Sequence, residues 1–171
     1  SWYIFVLSFL GNAKNACDFL LKQKELDVNN KYLVISIVYN FKHGLEVLLK
    51  HFSRFLNKKI DKSDHNHDIK NLFKNFKEKN KGNSKIKKEI NNLEKFIEKY
   101  NGVDPFKRYM KDCFSINDYA NSFFKYPEHS ALISVDYSKL IYQINRGDVE
   151  EIKKDIELYI GRTFYIKSGE N

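Results

Sequence analysis

Apolar residues recur at alternating steps of three and four through the first half of the chain, which is the period of an amphipathic α-helix. The first stripe predicts a helix from Trp2 to about Lys24. The second predicts a longer helix ending near Phe55, with Asn29 and Asn30 before it as caps. The two stripes consist of Trp2, Val6, Phe9, Ala13, Ala16 and Leu20, and of Leu33, Ile37, Phe41, Leu45, Leu48, Phe52 and Phe55.

Shorter stripes of the same period follow. Residues 69–76 predict a lysine-rich helix that Gly82 terminates, and residues 86–100 predict a fourth helix, with Asn101 and Gly102 as its stop signal. The chain therefore holds four helices before residue 102.

The helical period is lost over residues 112–136, where short extended stretches predict a small β-hairpin. Residues 140–144 then predict a short helix closed by Gly147, and Asp148 with Glu151 has the spacing of a capping box for a last helix. We expect one domain spanning residues 1–171, an all-α up-down bundle of four to five main helices with a small β-hairpin or loop insertion near residues 112–136.

Cysteine usage and the most apolar run bear on the compartment. Cys17 and Cys113 are 96 positions apart, so no disulfide framework is indicated and a reducing, cytoplasmic location is favoured. The apolar run at residues 2–10 has about half the length that a membrane helix needs. We interpret it as buried helix and expect no membrane partner.

The net charge of +8 is concentrated in the middle of the chain, where residues 42–99 hold 16 Lys and Arg against 8 Asp and Glu. A clustered basic surface attracts phosphate, which predicts RNA or a nucleotide as the partner. The alternative is a merely solvated lysine face, since only four of the 30 basic residues are Arg. The candidate nucleic-acid contacts are Lys42, Lys50, Arg54, Lys125 and His129.

Two short segments carry candidate chemistry. His43 and Glu46 share one side of the second helix with Lys50, and His67 and Asp68 stand at the start of the third. Imidazoles and carboxylates that converge can transfer protons, so these residues are candidate catalytic groups, with Lys50 as a phosphate contact. The alternatives are a polar stripe facing water and an Asp68 side chain that caps its helix.

The His67-Asp68 pair also matches the dipeptide of metal-dependent phosphohydrolases of the HD type. His43 would then be a further ligand, and the last would come from Asp112, Asp118 or Asp136. We find neither a glycine-rich phosphate loop nor a serine nucleophile elbow, and no cofactor is indicated.

An aromatic segment at residues 123–129 combines Phe123, Tyr126, Lys125 and His129. Its rings could stack a base while Lys125 meets a phosphate. The alternative is that the rings pin a hairpin onto the bundle.

Three segments, taken in their order, resemble the HEPN superfamily: residues 39–50 (YNFKHGLEVLLK), His67 to Leu72, and residues 124–140 with their FKYP hairpin motif. The resemblance implies an up-down helical bundle, frequent dimerisation, and roles as ribonucleases, nucleotide-binding modules or partners in toxin-antitoxin and abortive-infection systems. Catalytic members carry an Arg followed four to six residues later by His, and this sequence lacks that motif.

We therefore expect a HEPN-like RNA- or nucleotide-associated module of a prokaryotic-type defence or toxin-antitoxin system. A homodimer and a cognate protein partner are part of this expectation. The alternatives are a divergent ribonuclease that uses His43, Glu46, His67 and Asp68, and the HD-type metal-dependent phosphohydrolase.

Overall fold

A computed structural model describes residues 2–57, 67–99 and 141–168 of the chain. Within these ranges the protein is an α-helical bundle without a strand, which confirms the predicted all-α fold. The β-hairpin predicted near residues 112–136 lies outside the described residues.

Helix α1 covers Trp2–Lys22 and packs against the central helix α3 and the last helix α6 (residues 146–168). Its fully buried side chains are Val6, Leu10, Ala13, Cys17 and Leu20. The predicted stripe included Trp2, Phe9 and Ala16, which are only partly buried. The buried face of α1 is rotated about the helix axis relative to the predicted face, because α1 packs between two helices. As a result, the rings of Trp2 and Phe9 lie at the border of the core.

Helix α3, Leu33–Asn57, is the centre of the bundle and contacts α1, α4 (residues 69–79) and α6. Gly44 allows α1 to approach closely, because a Cβ atom there would lie 2.8 Å from Leu10 Cδ2 and 3.4 Å from Phe9 Cβ. The fully or nearly fully buried apolar residues of α3 are Val34, Ile37, Val38, Phe41, Leu45, Val47, Leu48, Leu49 and Phe52.

The short helix α2, Val28–Lys31, joins α1 to α3. Its N-cap is Asp27, whose carboxylate accepts a hydrogen bond from the Asn30 backbone N–H at 3.1 Å. The prediction that Asn29 and Asn30 cap a helix was wrong, because both lie inside α2. Asp27 stands three residues before Asn30, the separation at which a cap reaches an unpaired N–H.

Helices α4 (Ile69–Lys79) and α5 (Lys87–Lys99) form a hairpin joined by a 3-10 turn, Ser84–Ile86. Asp68 is the N-cap of α4 and accepts a hydrogen bond from the Asn71 backbone N–H at 3.0 Å. Gly82 lies in the turn after α4. The apolar sides of the hairpin are buried through Ile69, Leu72, Phe73, Phe76, Ile90, Leu93 and Ile97.

Helix α6 covers Arg146–Ser168 and begins with a reciprocal cap. The Asp148 N–H donates to Asn145 Oδ1 at 3.0 Å, and the Asn145 N–H donates to Asp148 Oδ2 at 3.0 Å. The predicted box of Asp148 and Glu151 was therefore wrong by one turn, and Gly147 lies in the first turn of α6 instead of closing a helix. Because α6 begins at Arg146, Asn145 is the residue directly before the helix. Its side chain can therefore accept a hydrogen bond from an unpaired N–H of the first turn.

Arg146 ties the start of α6 to the end of α1. Its guanidinium donates to the Leu21 carbonyl at 2.6 Å and to the Gln23 carbonyl. These carbonyls belong to the groups that a helix C-terminus leaves unpaired, so a half-buried cation there stabilises both helices.

Helix α1 and the stretch Val28–Arg54 are each long and apolar enough to cross a membrane by length and composition, a test that core helices of soluble proteins also pass. The apolar run at residues 2–10 is thus part of a helix of 21 residues, longer than that run alone. In the bundle most of the second stretch is buried, whereas less than a third of the α1 window is buried.

Candidate functional site

Glu46 lies at the centre of a polar cluster on α3. Its side chain is only 5% exposed, and Lys50 Nζ donates a hydrogen bond to Glu46 Oε1 at 2.7 Å. Residues four apart on a helix are neighbours on its surface, so the helix itself makes this contact. The side chain of Lys50 is also buried, at 8% exposed.

His43 reaches the same carboxylate from one turn earlier. Its Nδ1 lies 3.3 Å from Glu46 Oε2. The imidazole meets the Phe9 ring edge-to-face at a centroid distance of 4.4 Å and stacks on Tyr39 at 5.7 Å. The close approach of α1 at Gly44 brings Phe9 to this position. Two aromatic contacts and one hydrogen bond therefore fix the orientation of the imidazole.

His67 completes the cluster from outside α3. Its Nδ1 lies 2.8 Å from Glu46 Oε1, and its side chain is 73% exposed. Asp68 follows it directly as the N-cap of α4, so the cap holds the backbone that carries His67. Two imidazoles and one ammonium thus share one buried carboxylate.

These partners determine the ionisation of Glu46. Burial alone would raise the pKa of the carboxyl group, but hydrogen bonds from His43, Lys50 and His67 and the charge of Lys50 outweigh burial and lower the pKa to about 2. Glu46 is therefore a carboxylate throughout the physiological pH range.

An ionised carboxylate can only accept hydrogen bonds, which fixes the tautomer of both imidazoles. Each Nδ1 carries its proton and donates to Glu46, so in the neutral ring each Nε2 is left with a lone pair. Such a ring accepts a proton at Nε2 and, once protonated, donates it. The cluster therefore holds two oriented proton-transfer groups.

A cavity of about 520 Å³ adjoins the cluster. Helix α1 supplies an aromatic wall from Trp2, Phe5 and Phe9, and α3 and His67 supply the polar side. The guanidinium of Arg54 lies over the Trp2 ring at 3.9 Å from its centroid. The full lining is Trp2, Phe5, Phe9, His43, Glu46, Val47, Lys50 and His67.

The predicted catalytic residues His43, Glu46 and His67 lie together, and Lys50, predicted as a phosphate contact, lies with them. Asp68 is the N-cap of α4 and is not part of the cavity lining. This is the capping role that the sequence left as an alternative.

The predicted nucleic-acid contacts do not form one surface in the part of the chain that the structure describes. Lys42 is fully buried, at 0% exposed, and so cannot meet a phosphate at the surface; that prediction is corrected because α3 is covered by neighbouring helices on more than one side. The guanidinium of Arg54 lies over the ring of Trp2, and Arg54 itself is not part of the cavity lining. Lys125 and His129 lie outside the described residues.

Sequence reasoning missed the aromatic wall. Trp2 and Phe9 were assigned to the core stripe, and Phe5 belongs to no stripe. Phe5 carried a signal, because a large apolar residue off the stripe of an amphipathic helix is exposed unless a partner covers it; Phe5 is 60% exposed.

Among the described residues, no group of three or more His, Cys, Asp or Glu side chains is arranged to hold a metal ion. The Nδ1 atoms of His43 and His67 are directed at Glu46, and Asp68 is turned to its own helix. The further ligands of the HD-type hypothesis, Asp112, Asp118 or Asp136, lie outside the described ranges.

No protein-family model, curated protein or solved structure matches this chain. The resemblance to the HEPN superfamily therefore stays a prediction.

Proposed function

We propose that the protein is a HEPN-like, RNA-associated domain of a prokaryotic-type defence or toxin-antitoxin system, and that its cavity cleaves RNA without a metal ion. One observation supports the proposal above the others: two imidazoles and one ammonium converge on a single buried carboxylate beside an aromatic wall. The homodimer, the cognate protein partner and the cytoplasmic location implied by the resemblance belong to the same proposal.

The proposed reaction uses the two imidazoles as acid and base. One neutral ring takes the proton of the ribose 2′-hydroxyl through Nε2, and the 2′-oxygen attacks the adjacent phosphorus. The other ring, as imidazolium, gives its Nε2 proton to the departing 5′-oxygen. The P–O5′ bond breaks, a 2′,3′-cyclic phosphate forms, and one proton has been taken up and one released.

The remaining groups have supporting roles. Lys50 borders the cavity and would stabilise the negative charge that grows on the phosphate oxygens. Glu46 is a positioning residue, because it holds both rings through Nδ1 and does not touch the substrate. The wall of Trp2, Phe5 and Phe9 would stack an unpaired base, which favours single-stranded RNA.

The experiment compares a single-stranded RNA with DNA of the same sequence, with and without chelator. We expect RNA cleavage that persists in chelator and no DNA cleavage, since DNA lacks the 2′-hydroxyl. His67→Ala should lower the rate by roughly 100-fold or more, the usual contribution of one proton-transfer group. His51→Ala is the matched control, because His51 is on the same helix and outside the cavity lining.

Each other outcome contradicts the proposal in a distinct way. Cleavage abolished by chelator would favour the HD-type metal-dependent phosphohydrolase. Equal rates for His67→Ala and His51→Ala would place the chemistry elsewhere.

A second candidate function is a non-catalytic RNA- or nucleotide-binding module. The sequence favours it through the missing Arg-His motif of catalytic HEPN proteins, and the aromatic wall is equally suited to it. Such a module would leave the RNA uncut with and without chelator. It would still bind the RNA, and Trp2→Ala would weaken that binding.

A further inference from the structure

Most of the chain's net positive charge lies on the α4–α5 hairpin, and no residue of that hairpin is part of the lining of the cavity beside Glu46. Residues 69–99 hold ten lysines and four glutamates, an excess of six in a chain of net charge +8. The inner side of the hairpin is apolar and buried, and the nine lysines whose side chains the structure describes there are all exposed. The proposed reaction uses none of them.

Three of these lysines, Lys70, Lys74 and Lys77, form a stripe along α4, and Lys81 follows in the turn after the helix. The three helical lysines are separated by four and three residues, the spacing of one helix face, and all four lysines are exposed. We call this set the α4 lysine stripe. Lys77 Nζ also donates to Glu94 Oε1 on α5 at 2.6 Å, which links the two helices of the hairpin.

The stripe begins beside the candidate site. His67 contacts Glu46, Asp68 caps α4, and Lys70 is the second residue of that helix. The eleven residues of α4 carry the stripe about 16 Å from the site, at 1.5 Å per residue. A strand that left the site along α4 would therefore pass these lysines.

The stripe ends at a second cavity. A space of about 210 Å³ lies at the α4–α5 turn, and Lys77, Lys81 and Lys87 border it together with Glu78 and three asparagines. Asn80, one of the three, is 6% exposed and donates through Nδ2 to the Phe76 carbonyl at 2.9 Å, which fixes its amide. Three lysines against one glutamate give this cavity a net positive border, which suits a phosphate group.

We infer that the α4 lysine stripe and the cavity at its end bind the phosphate backbone of the single RNA strand whose scissile phosphate lies at His43 and His67. This inference rests on the proposed function and adds to it the direction in which the strand leaves the site. It assigns the salt-dependent part of RNA binding to α4, and the chemistry to α3 and His67.

The test replaces two stripe lysines, Lys74→Gln and Lys81→Gln, in one protein. Lys77 is kept because its ion pair joins α4 to α5. The matched control is Lys24→Gln with Lys154→Gln, which removes the same charge from two exposed lysines outside the hairpin. Circular dichroism verifies that both proteins keep the helical fold of the parent.

The probe is a fluorescein-labelled 2′-O-methyl 12-mer of uridine, which cannot undergo 2′-hydroxyl attack. Its affinity is measured by anisotropy from 50 to 300 mM NaCl. For single strands the slope of log affinity against log salt changes by about 0.7 for each phosphate contact, so we expect the stripe variant to lose about 1.4 of the parental slope. The control variant should keep the parental slope.

Cleavage of a uridine dinucleotide separates this inference from the proposed function. A dinucleotide does not reach along α4, so the parent, the stripe variant and the control should cleave it at equal rates. If the parent cleaves the dinucleotide but the two variants lose equal slope, or neither loses any, the α4 assignment is overturned and the proposed function stands. If the parent neither cleaves the dinucleotide nor binds the 12-mer, the proposed function itself fails.

Discussion

Two carboxylates, Asp18 and Glu46, each lie among several cationic or imidazole side chains, and the two clusters differ in what lies next to them. Asp18 on α1 accepts a hydrogen bond from Lys14 at 2.7 Å and lies 2.6 Å from Lys153 on α6. Both contacts lower the pKa of Asp18. Glu46 has the same direction of shift, with two imidazoles and one ammonium as partners.

The partners and the surroundings decide the function of each cluster. The lysines of the Asp18 cluster join α1 to α6 at a partly exposed surface, where an ion pair contributes little stability. The Glu46 carboxylate is buried, orients two imidazole rings through their Nδ1 atoms, and borders a cavity. A lowered carboxyl pKa alone therefore does not mark a candidate site; imidazole partners beside an open cavity do.

The largest expected effect comes from Glu46→Gln. Lys50 would remain buried without its counter-charge, and breaking a buried pair in this way costs about 3 kcal/mol. Both imidazoles would lose the carboxylate that fixes their tautomer, so RNA cleavage should fall by roughly 100-fold or more. Urea denaturation and cleavage of the uridine dinucleotide measure the two effects.

Asp18→Asn is the matched substitution in the other cluster. It should cost much less stability and leave the cleavage rate at the parental value. Equal losses of stability and activity in the two variants would remove the distinction between the clusters.

A second prediction concerns acid. The pKa of Glu46 is about 2 in the folded protein and 4.5 for an ordinary glutamate, so the unfolded chain takes up the proton first as the pH falls. The stability that Glu46 contributes is present above about pH 4.5 and is lost as the pH drops toward 2. Urea midpoints between pH 5 and pH 3 should fall less steeply in Glu46→Gln than in the parent.

The pKa of Asp18 is also lowered, so Asp18 too contributes stability that is lost in acid. Asp18→Asn therefore tests how much of the fall of the urea midpoint with pH comes from Glu46. We expect the Asp18 variant to keep more of the parental slope, because its carboxylate is the more exposed of the two. A steeper fall in Glu46→Gln than in the parent would contradict the assignment.

The helices and one part of the site follow from local rules. His43, Glu46 and Lys50 are separated by three and four residues, so any helix through them must bring them together. His67 is 21 residues from Glu46, and its position depends on how α4 folds back against α3. The candidate groups could therefore be selected from the sequence, but the shared carboxylate needed the tertiary fold.

The errors share a physical cause, which is that periodicity does not say how many neighbours a helix has. Lys42 was predicted to contact nucleic acid, yet α3 is covered by α1, α4 and α6 and buries it. The buried face of α1 is rotated relative to the predicted stripe for the same reason. Trp2 and Phe9, which were predicted to lie in the core, therefore line the cavity. The cap of α6 was one turn away because two candidate caps stood three residues apart.

The smallest expected effect tests the aromatic wall and compares two exposed phenylalanines of α1. Phe5 lines the cavity and is 60% exposed, whereas Phe19 is 50% exposed and is not part of the cavity lining. Because both rings are largely outside the core, alanine at either position should change stability little. Stacking contributes about 1–3 kcal/mol per base, so Phe5→Ala should weaken binding of the non-cleavable 12-mer by about tenfold and Phe19→Ala should not. Equal affinities of the two variants would mean that the wall does not stack a base and that the cavity binds RNA through its polar side alone.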